Sequence, residues 1–167
     1  MKPAAVNASP LIILARAGYF DLLSKIFSPI VVPRAVADEI NAGPAGDPTV
    51  AALVGSGWLS VVDLTPGVSP IATWRLGRGE TEVLEFARRN PGTVAVLDDK
   101  AARRAATMLG IPIIGTLGIL VAATQSGLLP DFTTAVEVVL RAGLYADPVT
   151  VAALNAQLRK GQPGRSK

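Results

Sequence analysis

Short apolar runs that stop abruptly at a polar residue or a proline, each followed by a stretch with helical spacing, recur along the chain. Ala4 to Asn7, Ile30 to Val32, Trp58 to Leu64, Thr93 to Leu97 and Ile111 to Ile114 read as strands. Strands with little polar alternation are covered on both faces, which is the situation of a parallel sheet between layers of helices. The helical stretches are Leu11 to Ala17 behind Ser9 and Pro10, Tyr19 to Phe27, Arg34 to Asn41 opened by Pro33, and Thr49 to Val54 behind Asp47 and Pro48. Glu80 to Arg89 after Gly79, Ala101 to Leu109 stopped by Gly110, and Thr116 to Ser126 closed by Gly127 continue the series. Capping residues and prolines at the starts and glycines at the stops support these boundaries. Phe132 to Leu140 and Val149 to Leu158 add two terminal helices, and Gly161 to Lys167 reads as a frayed tail. The expected architecture is α/β, three layers with a central, mainly parallel sheet and extra C-terminal helices. Residues 1–160 are expected to form one domain.

Composition then narrows the chemistry. The 167 residues include no cysteine and no histidine. Disulfides, thiolate metal sites and cysteine nucleophiles are excluded, as are the usual zinc ligands and the commonest general base. Carboxylates remain as the carriers of hydrolytic chemistry near neutral pH. Half of the residues are hydrophobic, so a membrane span has to be tested. The most apolar stretch, Gly110 to Ala123, is shorter than the roughly 18 to 20 residues a spanning helix needs, and Pro112, Gly115 and Gly118 punctuate it. Asn7, Ser9 and Pro10 interrupt any signal-peptide core. The expectation is a cytoplasmic protein without a membrane partner. A formal charge of +3 suits a polyanionic partner, because basic surfaces release counterions from phosphates.

In doubly wound α/β folds, ligands sit beyond the carboxyl ends of the strands. Asn7 follows the first strand, Asp98 and Asp99 follow Thr93 to Leu97, and Thr116 follows Ile111 to Ile114, so these residues are expected on one edge, with helix-borne Glu39 and Glu80 able to join them. Clustered carboxylates repel one another in a partly desolvated site, and hard divalent cations with oxygen ligands relieve that repulsion. Each residue also has an ordinary role open to it: Asn7 in a strand-to-helix turn, Glu39 as a solvated acid, Glu80 as a first-turn acid, Asp98 and Asp99 as caps before Lys100, and Thr116 as a cap. Glu82 and Glu85 read as surface charges. Arg75, Arg78, Arg103 and Arg104 are candidates for phosphate contact at the rim of the cleft.

Taken in order, several segments carry a resemblance: Val6-Asn7-Ala8-Ser9-Pro10-Leu11-Ile12, Pro33-Arg34-Ala35-Val36-Ala37-Asp38-Glu39-Ile40, Gly77-Arg78-Gly79-Glu80, Leu97-Asp98-Asp99-Lys100 with Arg103-Arg104, and Ile113-Ile114-Gly115-Thr116-Leu117-Gly118-Ile119-Leu120. Over roughly Ala4 to Leu129 the chain resembles PIN-domain proteins, more narrowly the uncharacterised branch related to VapC-type toxins. The resemblance implies a PIN-like fold and an endoribonuclease dependent on Mg²⁺ or Mn²⁺. It implies RNA as substrate, a homodimer, and a small antitoxin protein as partner. By motif it implies Glu39, Glu80 and Asp98 as metal-binding acids, Thr116 as an orienting hydroxyl and Asp99 as an auxiliary carboxylate. Asn7 is the departure: the wider family usually has aspartate there, whereas Asn offers a neutral carbonyl oxygen and should hold a cation more weakly.

Two other readings compete. The loss of charge at Asn7 fits a catalytically weakened dimer acting as a protein- or RNA-binding module. Acids at strand ends also suit a receiver-like or mononucleotide-binding domain, but Gly77 to Gly79 is too short for a phosphate-binding P-loop.

Overall fold

Ala4, Ala5 and Val6 are fully buried, and such small side chains on a central strand let helices pack closely against it. They form the end of β1 (Lys2–Val6), the middle of an all-parallel sheet in the order β3-β2-β1-β4-β5. The other strands are β2 (Phe27–Pro33), β3 (Leu59–Val62), β4 (Val94–Val96) and β5 (Ile113–Ile114). The computed structural model describes residues 1–65 and 69–160. Residues 66–68 of the expected Thr65 to Ser69 loop, and the expected tail from Gly161, lie outside the described residues.

Helices flank the sheet, giving the α/β/α arrangement expected from the apolar strands. They are α1 (Ala8–Arg16), α2 (Leu22–Ile26), α3 (Arg34–Asn41), α4 (Pro48–Gly55), α5 (Arg78–Arg89), α6 (Lys100–Met108), α7 (Thr116–Gln125), α8 (Phe132–Arg141) and α9 (Pro148–Lys160). α3 buries Ala35, Val36, Ala37 and Ile40, and α5 buries Val83, Leu84 and Ala87, the faces that helical spacing dictates. Asp47 caps α4, accepting from Thr49 N at 2.9 Å, with Pro48 in the first turn.

Two expectations are corrected and one element is added. The first helix begins at Ala8 with Asn7 as its N-cap, so Ser9 and Pro10 both lie in its first turn, where proline's missing N–H leaves no bond unmade. The stretch Tyr19 to Phe27 is helical only over Leu22–Ile26, and the buried Phe27 begins β2 opposite Lys2. A 3-10 turn, Pro70–Trp74, leads into α5 and was not legible from apolar spacing.

The chain runs from β1 outward through β2 and β3, then returns to the other side of β1 for β4 and β5. The order therefore reverses between β1 and β4, and crevices beyond such a switch point are where open α/β sheets bind ligands. Here Val6 pairs with Val96, and Val96 with Ile114, so three strand ends lie side by side.

Candidate active site

Beyond those strand ends stand Asn7, Asp98 and Thr116. Asn7 N donates to Val96 O at 3.1 Å, which carries the β1–β4 ladder one residue past the strand and fixes Asn7 over the crevice. Leu97 N donates to Ile114 O at 2.9 Å and does the same between β4 and β5. Asp98 then reaches across to the next strand end: Oδ1 accepts from Thr116 N at 2.7 Å and Oδ2 from the Thr116 hydroxyl at 2.7 Å. Thr116 is fully buried at the start of α7, so the carboxylate supplies partners to two of its polar groups. Asp99 caps α6, accepting from Ala102 N at 2.9 Å, and still borders the cleft.

The helix-borne acids arrive from another direction. α3 and α5 pack together, and their contact is close at Gly79. A Cβ placed there would lie 3.0 Å from Asn7 Oδ1, 3.1 Å from Val36 Cγ2 and 3.2 Å from Glu39 Oε2. Glycine at this buried position thus lets the Asn7 amide oxygen and the Glu39 carboxylate flank one point. Glu80 follows in the first turn of α5, where Oε2 accepts from Gly77 N at 3.0 Å. The pKa of Glu80 is raised, first by desolvation and then by the nearby carboxylates of Asp99 and Glu39, against the lowering effect of the Gly77 N–H. Glu39, Glu80 and Asp99 thus lie close enough to feel one another's charge.

Asn7, Ser9, Glu80, Asp98, Asp99 and Lys100 line a cleft of about 610 Å³, closed on its far side by Gly143 to Tyr145. Its chemistry is oxygen-rich. Asn7 is 6% exposed, and its Oδ1 is a buried side-chain acceptor to which nothing donates among the described residues. Leaving such an acceptor unpaired costs about 1–3 kcal/mol, so a hydrogen-bond donor or a cation is expected in front of it. The acids are nonetheless spread around the cleft: among the described residues, no three Asp or Glu side chains come close enough together to form a ready-made cation site.

Two acids read as surface charges lie elsewhere and do other work. Glu85 is 4% exposed and binds Arg88, Arg89 and the Ser69 hydroxyl, with both arginines within 2.7 Å of Oε1. Glu82 accepts from Ala35 N at 3.0 Å, joining α5 to the start of α3, and pairs with Arg78 at 3.4 Å. Arg78 is thereby engaged in an ion pair. Arg75 sits in a left-handed conformation at the end of the 3-10 turn, φ 52°. Spacing alone could have found Glu85, whose arginines fall three and four residues later.

Comparison with known families decides what kind of chain carries this cleft. A family model described as DUF3368, a PIN domain, matches residues 3–160. The chain belongs to the PIN-domain family. No curated protein matches it. PIN domains are generally metal-dependent nucleases that use divalent ions, and the switch-point cleft of this PIN domain suits that chemistry. Its donors are hard oxygens, one is an orphaned buried carbonyl, and the carboxyl of Glu80 is pushed up by burial and, to a lesser extent, by like charges. Because the acids are spread out, these residues alone would leave a small divalent ion short of protein ligands.

Proposed function

We propose that this PIN domain is a metal-dependent endoribonuclease that hydrolyses RNA phosphodiester bonds in the cleft beyond β1 and β4. The observation that carries the reading is the unpartnered, buried Oδ1 of Asn7, set at the switch point among Glu39, Glu80 and Asp98. Those oxygens would hold Mg²⁺ or Mn²⁺, with Asp99 contributing charge from the rim. When bound, the ion would supply electrophilic polarisation of a phosphate and a lowered pKa for water, in a chain with no histidine to serve as general base.

The chain's own residues supply the rest. Glu80 tethers the start of α5 through Gly77 N, and Asp98 tethers the start of α7 through Thr116, so both carboxylates are held in place by the groups they bind. Thr116 orients Asp98 and leaves the second lone pair of each carboxylate oxygen free to accept from the cleft side. Lys100 stands at the mouth, where a phosphate would meet its charge. Cytoplasmic residence, a homodimer and a small antitoxin partner of the VapC type complete the proposal. Among the described residues no helix is long and apolar enough to cross a membrane.

A second reading, a PIN fold retained as a binding module, is favoured by the spread of the acids and by the neutral side chain at Asn7. Purified protein incubated with mixed RNA distinguishes the two. The nuclease reading expects cleavage with Mn²⁺ or Mg²⁺ that stops in EDTA and in Glu80→Gln, leaving 3′-hydroxyl and 5′-phosphate ends. Intact RNA under all metal conditions supports the binding module, and cleavage that persists in EDTA refutes the mechanism.

A further inference from the structure

The acidic cleft does not end at its rim. It shares Asp98, Lys100, Leu144 and Tyr145 with a neighbouring cavity of about 530 Å³. That cavity in turn shares Lys100, Arg103 and Ile113 with an open trough along α6 that Arg104 also borders. Lys100 borders all three, so they lie side by side around it, with acids lining the first and cations the last. Among the described residues, Lys100, Arg103 and Arg104 enter no ion pair. Arg103 is fixed in place, NH1 donating to Leu97 O at 3.1 Å.

The middle cavity has the character of a site for a flat, partly apolar group. Ile113, Ile114, Leu117 and Leu154 line it, and their other faces pack on the core. Tyr145 stands over it, 87% exposed, on a turn anchored from both sides. Leu144 N donates to Val139 O at 3.0 Å, and Val149 N to Asp147 Oδ1 at 3.2 Å. An exposed aromatic ring on a loop hydrogen-bonded at both ends, beside an apolar floor and cations, is the combination on which single-stranded nucleic acids stack their bases. The volume lies within the range of small-ligand pockets.

We propose that this cavity is a nucleobase subsite. The base adjacent to the phosphate in the acidic cleft enters it against Tyr145, and the next phosphates of the single strand run along α6 past Lys100 and Arg104. The charge order supports this polarity: the reacting phosphate sits among acids and needs a cation there, while its neighbours need the protein's own positive charge. Recognition through a ring face is tolerant of sequence, because every base presents one. The inference rests on the RNA reading of the cleft and extends it to how the strand is held.

The test measures binding without cleavage. A short, fluorescein-labelled single-stranded RNA is titrated with the full chain in EDTA, followed by anisotropy. Tyr145→Ala weakens binding at least about five-fold and Tyr145→Phe leaves it within about two-fold, as loss and retention of one stacked base require. Moving one abasic site along the RNA weakens binding to the native chain at one position, and the same abasic site has no effect on Tyr145→Ala. Arg104→Gln lowers the slope of log affinity against log salt by about 0.7. Unchanged binding by Tyr145→Ala, a flat abasic scan, or no binding of the RNA by the native chain overturns the subsite. Tyr145-dependent binding together with no cleavage in Mn²⁺ overturns the nuclease reading and leaves the subsite standing, while cleavage with Tyr145-independent binding does the reverse.

Discussion

Asp98 grips Thr116 through both carboxylate oxygens, one on the backbone N–H and one on the hydroxyl, each at 2.7 Å. The acid best placed for the cleft is therefore also the clamp between the end of β4 and the start of α7. Substitution to alanine removes charge and clamp together, so it cannot separate them. Asn can accept from Thr116 N and donate to the Thr116 hydroxyl, which keeps the clamp. Asp98→Asn is expected to lose less than about 1 kcal/mol of stability and Asp98→Ala about 2–3 kcal/mol. RNA cleavage should fall in both by more than the roughly 10- to 100-fold typical of outer-shell partners. Urea melts read beside cleavage rates check this, and full activity in Asp98→Asn would remove the acid from the site.

Asn7 offers the reverse experiment. Its Oδ1 is buried without a donor, so Asn7→Asp places a charge at a position largely screened from solvent. Without metal the variant should melt earlier, by the equivalent of about 1–3 kcal/mol. Added Mn²⁺ should raise its melting temperature more than that of the native chain, since a second charge strengthens ion binding. Differential scanning fluorimetry with Mn²⁺ or EDTA reads both effects. An equal metal shift in the two proteins would place the ion away from Asn7.

Gly79 is the position where α5 approaches both Asn7 and Glu39. Gly79→Ala puts a methyl 3.0 Å from Asn7 Oδ1 and 3.2 Å from Glu39 Oε2. Such contacts are too close by a few tenths of an ångström, so the neighbours must shift and a loss of about 1–3 kcal/mol is expected despite alanine's better helix propensity. Metal affinity should drop with it, because both oxygens are displaced. Calorimetric titration with Mn²⁺ measures the second effect, and unchanged affinity would separate Gly79 from the site.

Away from the cleft, Glu85 predicts a pH dependence of stability. The Arg88 guanidinium, with help from Ser69 and Arg89 and against the effect of burial, holds its carboxyl at about 2 in place of the ordinary 4.5. A lowered pKa in the folded state means that the stabilisation is complete above the unfolded value and fades as pH falls from about 4.5 toward 2. Glu85→Gln should be less stable than the native chain by about 1–3 kcal/mol at pH 7, and the two should converge near pH 2. A constant gap between their urea midpoints across that range would show that charge is not what Glu85 contributes.

Much of this arrangement is visible in the linear chain because parallel strands advertise themselves. Thr93 to Leu97 is apolar until Asp98, and a strand that ends so abruptly in a buried sheet places its next side chain at the crevice. α3 runs over Arg34–Asn41 as its proline start and apolar spacing dictate. What the chain conceals depends on contacts between elements far apart in sequence. The Asp98 clamp on Thr116, the approach of Gly79 to Asn7, and the Glu82 bond to Ala35 N all join separate segments. Phe27 was concealed for a different reason: an apolar residue at helical spacing also fits the first position of a buried strand. Tyr145 carries no periodic signal, and only its anchored turn above a cavity gives it meaning.

The central claim is that Asn7, Glu39, Glu80 and Asp98 together hold a divalent cation. Crystals soaked in Mn²⁺ and measured for anomalous scattering test it without reference to turnover. The account predicts one strong peak in the cleft, at coordination distance from Asn7 Oδ1 and from at least two of the three carboxylates. Absence of any peak at millimolar Mn²⁺, or a peak that touches none of these oxygens, would contradict it.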